Sequence, residues 1–182
     1  PHSDVLEACL NNFKKVDNIN LVNFTLRNIY KKGMLVDWNK IRESCILISP
    51  DAGANKKIFK LAEQIDYTGD IITCSKSRDE QGKLSHVVVP TSFNHVNKDF
   101  IIIDDICDGG ATFLNIAKEI KRQWNHKNPK IYLIVTHGIF SKGLQDLKKY
   151  FDGIYTTNSY KDLSESPYWT YDKEFVKQLN VF

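Results

Sequence analysis

Short, almost wholly apolar runs recur along this chain between longer segments that are apolar on one helical stripe only. CILIS (45–49), DIITC (70–74), HVVVP (86–90), FIIID (100–104), IYLIVT (131–136) and GIYTT (153–157) are too short for core helices and are bounded by turn residues, so they read as buried strands. Between them, Ile58, Leu61, Ala62 and Ile65 make one helical stripe, and Phe113, Ile116, Ala117, Ile120 and Trp124 make another. Leu144, Leu147, Tyr150 and Phe151 make a third. A strand buried on both faces needs helices on both sides. The alternation therefore predicts an α/β fold with a mostly parallel sheet flanked by helices. Upstream, Ser3 is placed to cap a first helix, with Asp4 in its first turn and Leu6, Leu10 and Phe13 on its apolar side. A second amphipathic segment follows near 21–30. With neither repeats nor a low-complexity linker, residues 1–182 are expected to form a single domain.

In such sheets ligands sit at the carboxyl ends of the strands. There the stretch FIIIDDICDGGATF (100–113) combines two properties that seldom suit one ligand. Gly109 and Gly110 lack Cβ atoms and open a helix near Thr112, so backbone N–H groups can converge on an anion. Asp104, Asp105 and Asp108 repel an anion but accept well from a vicinal diol. A pentose 5-phosphate satisfies both halves, its phosphate on the loop and its hydroxyls on Asp104 and Asp105. The plain alternative is that these acids merely end a strand and cap a turn.

Composition narrows the classes further. The formal charge of +3 arises from interspersed signs, which gives no sign of a nucleic-acid surface. No apolar run approaches the roughly 18 residues of a membrane span. Cys9, Cys45, Cys74 and Cys107 have neither zinc-site nor disulfide-framework spacing, so reduced thiols in a cytoplasm are expected. A start at Pro1 without Met leads us to expect a fragment or a processed chain.

IIIDDICDGGAT resembles the phosphoribosyl pyrophosphate (PRPP) signature of type I phosphoribosyltransferase folds. SPDAGANKK (49–57), K-S-R (76–78), THGIFS (136–141) and YTTNS (155–159) extend the likeness to the carboxyl-terminal half of ribose-phosphate pyrophosphokinase, or PRPP synthetase. PHSDVLEACLNNFKKVDNI is similar to the segment where that family carries a metal-binding histidine. The likeness runs in order from His2 to about Ser159; the tail from Lys161 is weakly matched.

The resemblance implies transfer of diphosphate from ATP to the anomeric hydroxyl of ribose 5-phosphate, with Mg2+ as cofactor. It implies Lys76 and Arg78 as the catalytic pair, on a loop that closes over the diphosphate. Ribose 5-phosphate or PRPP falls to Asp104, Asp105, Asp108, Gly109, Gly110, Ala111 and Thr112, and the metal to His2 and Asp51. His137 and Gly138 shape the site, whereas His86, His95 and His126 are read as structural. Three positions depart from the family's usual pattern: Lys57 replaces arginine, Gly109 replaces threonine and Ala111 replaces glycine, the last carrying a Cβ that penalises positive φ. The family's amino-terminal ATP-binding half has no counterpart here, so a homo-oligomer or a separate amino-terminal domain is the implied partner. A PRPP-consuming phosphoribosyltransferase and a non-catalytic subunit that binds PRPP or ribose 5-phosphate stay open as alternatives.

Overall fold

A computed structural model describes residues 18–30, 38–78, 81, 84–92, 95–124, 127–165 and 173–181. The expected first helix, with Ser3, Leu6, Leu10 and Phe13, lies outside the described residues. The centre is a parallel sheet of β1 (Cys45–Ser49), β2 (Ile71–Thr73), β5 (Asp99–Cys107), β6 (Ile131–Gly138), β7 (Gly153–Thr157) and β8 (Val176–Leu179), in the order β2-β1-β5-β6-β7-β8.

Alternation along the central strands builds two cores. Ile46 and Ile48 of β1, Phe100 and Ile102 of β5, and Leu133 and Val135 of β6 face one way. They pack on Phe113, Ile116 and Ile120 of helix α4 (Ala111–Gln123) and on Leu147 of the short α5 (Gln145–Lys148). Leu47, Ile101, Ile103, Tyr132 and Ile134 face the other way. They meet Leu21 and Leu26 of α1 (Ile19–Tyr30), Ile41 of α2 (Trp38–Ser44) and Ile58 and Leu61 of α3 (Asn55–Gln64). This is the helix-covered parallel sheet that the doubly buried strands demanded. No described helix is long and apolar enough to cross a membrane.

Three differences from expectation have physical causes. HVVVP does not join the main sheet: β4 (Leu84–Val88) pairs antiparallel with β3 (Ser75–Arg78) as a separate ribbon. Val87 and Val89 reach the core while Val88 is 43% exposed, so three consecutive valines imitate a doubly buried strand from a ribbon buried on one side. β5 runs three residues beyond FIIID, because Asp104, Ile106 and Cys107 stay in register with Val135, His137 and Gly138. Finally, β8 is too polar in VKQL to signal a strand. It is held where Gln178 Nε2 donates to the carbonyls of Thr157 (3.2 Å) and Lys161 (2.9 Å).

Ile102 contacts helix and strand neighbours on its face with no solvent exposure. Ile102→Ala is expected to cost about 3 kcal/mol, read as a lower urea midpoint at unchanged slope. Phe59→Ser, on the exposed side of α3, should stay within about 0.5 kcal/mol.

Candidate functional site

β1 is followed by a connection to β2 on one side, and β5 by a connection to β6 on the other. The intervening helices α3 and α4 therefore cover opposite faces. The strand order reverses between β1 and β5, and a crevice opens beyond their carboxyl ends. Asp51 enters it two residues past β1, and Asp104 and Asp105 from the carboxyl-terminal half of β5.

Asp104 is half-buried, and burial is the main reason its carboxyl is pushed up to about 7. The nearby charges of Asp105 and Asp51 push the same way, while the Asp105 N–H, donating to Asp104 Oδ1 at 2.8 Å, opposes them. Asp105 forms an ion pair with Lys57 of α3. Residues 57 and 105 are too far apart in sequence for any spacing rule to pair them, and only the SPDAGANKK likeness singled out Lys57.

The loop between β5 and α4 is shorter than expected, just Asp108 to Gly110, with Ala111 already helical. Gly110 takes the left-handed conformation at φ 76°, and a Cβ there would sit 3.3 Å from a Leu147 methyl. The penalty expected at Ala111 does not arise, since the positive φ falls one residue earlier. No side chain caps α4, so its first-turn N–H groups, including that of Thr112, are left for other acceptors.

Asp51 caps a short 3-10 turn (Ala52–Ala54), its Oδ1 accepting from the Ala54 N–H at 3.1 Å. Its Oδ2 accepts from Lys76, which the β3–β4 ribbon brings over the crevice. Burial alone raises the Asp51 carboxyl, but the Lys76 and Ala54 hydrogen bonds outweigh it and hold the group below its ordinary value. Arg78 is the last residue of β3. Lys76 therefore sits in a paired strand rather than a loop, while residues 79, 80, 82 and 83 of the expected mobile stretch lie outside the described residues. His2 lies outside them as well.

His137 stands beside the end of β5, in register with Ile106 and Thr157. Its Nδ1 is 2.7 Å from Ser159 Oγ, and Thr157 Oγ1 donates to the Thr136 carbonyl at 2.7 Å. These contacts tie the THG and YTTNS segments into one wall. His95 is buried, with the Ser92 N–H donating to its Nδ1 at 3.0 Å, and His126 lies outside the described residues. Cys107 ends β5 rather than sitting in the loop, and burial pushes its thiol up to about 12. Cys45, Cys74 and Cys107 are free thiols.

Among the described residues no three histidine, cysteine or acidic side chains gather as a metal cage. Of the two residues expected to hold the metal, Asp51 is the one among the described residues, and its carboxylate is a hard oxygen donor. That fits magnesium, which one carboxylate can share with phosphate and water oxygens.

No protein-family model matches the chain. It is 29% identical over 117 residues to ribose-phosphate pyrophosphokinase 4 of Saccharomyces cerevisiae, a match covering 63% of this chain and 34% of that protein. It is 32% identical over 119 residues to the ribose-phosphate pyrophosphokinase of Mycoplasmopsis pulmonis, covering 64% of this chain and 36% of that protein. The crystal structure of phosphoribosylpyrophosphate synthetase from Mycobacterium smegmatis shares the fold, with a TM-score of 0.67 at 19% identity over 99% of this chain and 52% of that chain. The chain is thus similar to ribose-phosphate pyrophosphokinases and spans about a third of the length of these curated relatives.

The raised Asp104 carboxyl has a testable consequence for stability. Between its ordinary value of 3.8 and about 7, the folded chain holds a proton that the unfolded chain has released. Stability contributed by this group therefore falls as pH rises through that window. Carboxyl-carbon NMR should show a half-titration near pH 7 that Asp105→Asn moves downward, and Asp104→Asn should flatten the fall of stability across the same window.

Proposed function

We propose that the chain is the sugar-phosphate half of a ribose-phosphate diphosphokinase, which moves diphosphate from ATP to ribose 5-phosphate and gives PRPP and AMP. One observation carries the reading: the Asp104–Asp105 pair, the glycine loop at the start of α4, Asp51 and Lys76 all meet at the strand-order reversal.

In this reading the 5-phosphate rests on the loop Asp108–Gly109–Gly110 and on the N–H groups of Ala111 and Thr112. Asp104 and Asp105 accept from the ribose hydroxyls. A negative Asp104 accepts better than a protonated one, so the sugar binds more tightly as pH rises through about 7. The anomeric hydroxyl oxygen attacks the β-phosphorus of ATP and loses its proton to solvent, the bond from the β-phosphorus to the α-phosphate oxygen breaks, and AMP departs with that oxygen. Lys76 and Arg78 stabilise charge on the transferring group.

When bound, magnesium neutralises phosphate charge; Asp51, together with His2, would hold it. Lys76 now occupies a carboxylate oxygen of Asp51, so it is released toward the diphosphate only as that carboxylate takes another partner. In this reading the nucleotide is supplied by an amino-terminal half or a second subunit. A cytoplasmic setting suits the free buried thiols.

Gly109, which stands where the resembled family usually carries a threonine hydroxyl, favours a second reading, a subunit that binds the sugar phosphate without turning it over. The decisive assay supplies ribose 5-phosphate, magnesium and ATP to the chain, alone and together with the amino-terminal half of a relative, and measures AMP. AMP formation that Lys76→Ala lowers by roughly 10²–10³-fold supports the enzyme. Sugar-phosphate binding with no AMP under any pairing supports the second reading, and absence of both overturns the two together.

A further inference from the structure

The phosphate loop faces a second loop, residues 139–143, that follows β6. The two are joined by their backbones: the N–H groups of Ile139 and Phe140 donate to the Cys107 carbonyl at 2.9 and 3.1 Å, and that of Ser141 donates to the Asp108 carbonyl at 3.2 Å. These bonds hold the next residue, Lys142, over Gly109. A Cβ built on Gly109 would lie 3.3 Å from both Cδ and Cε of Lys142 and 3.6 Å from its Cγ. The lysine stem thus covers the face of Gly109 that a side chain would otherwise fill, and its ammonium lies one bond beyond Cε.

That ammonium has no ion-pair or hydrogen-bond partner among the described residues. Two other lysines at the crevice are engaged, Lys57 by Asp105 and Lys76 by Asp51. An uncommitted cation held by its stem against a loop that also carries Asp108 is placed for an anion on that loop.

We propose that Lys142 is a binding residue for the terminal phosphate of the sugar, closing over it from the β6 side while the α4 backbone holds it from the other. The proposal rests on the function argued above and assigns a residue to it. Backbone N–H groups orient a phosphate but bring no formal charge, and Asp108 in the same loop opposes one. A lysine supplies the missing charge as a mobile point donor. A Cβ at position 109 would press on that stem, so glycine there leaves the lysine in place.

Titration calorimetry of the intact chain with ribose 5-phosphate, ribose and inorganic phosphate tests this. Lys142→Gln should weaken ribose 5-phosphate about tenfold and flatten the loss of affinity with salt, leaving ribose unaffected, while Lys142→Arg retains most of the affinity. Lys60→Gln, an equal charge change on the exposed side of α3, should leave all three ligands unchanged. Gly109→Thr should weaken the sugar phosphate in the wild-type background and much less with Lys142→Ala, since the displaced stem is then gone.

Equal ribose 5-phosphate affinity in wild type and Lys142→Gln overturns the role of Lys142 while leaving the functional reading intact. Parallel loss of ribose also overturns it, by showing a general disturbance of the site. A wild-type chain that ignores ribose 5-phosphate overturns the functional reading, and this assignment with it.

Discussion

Carboxylates gathered at one end of a parallel sheet repel one another, and the whole arrangement depends on holding Asp51, Asp104 and Asp105 together regardless. Strand pairing does most of this: β1 and β5 are neighbours in fixed register, so their carboxyl ends cannot drift apart without breaking the sheet. Lys76 and Lys57 then offset the repulsion from outside the sheet, each from a different element. Asp104, deeper and without a lysine of its own among its contacts, has its carboxyl pushed up to about 7 instead, chiefly by burial. The site is an electrostatic compromise imposed on a rigid frame.

The frame was legible because buried strands have few options. CILIS and GIYTT matched their strands at both ends, since each residue of β1 and β7 is buried and turn residues bound the runs. Stripes such as Ile116 with Ile120 declared α4 through their helical spacing. What escaped was decided by tertiary context. β8 is polar and exists because β7 offers it an edge. The β3–β4 ribbon hid behind valines whose two faces meet different surroundings. Acids read as strand stops in FIIID continue the ladder, because their neighbours in β6 hold the register.

At the site, local motifs were legible and cross-chain contacts were not. The string from Asp104 to Thr112 is contiguous, so strand, loop and helix start could be read from one stretch. The pairs Lys57 with Asp105 and Lys76 with Asp51 join residues far apart in the chain, and no spacing rule reports them. Lys142 is harder still to foresee: its place follows from an absent side chain at Gly109 and from backbone bonds between two loops.

The ribbon that carries Lys76 packs on the core through Val87 and Val89, is tied to Asp51 through Lys76, and contributes no strand to the main sheet. Natural variation can therefore remodel this appendage without endangering the architecture beneath it. On the proposed reading, turnover becomes a trait that selection can adjust, or silence, separately from foldability. A lineage could then keep the proposed sugar-phosphate cradle and discard the proposed chemistry by altering a few residues of one hairpin.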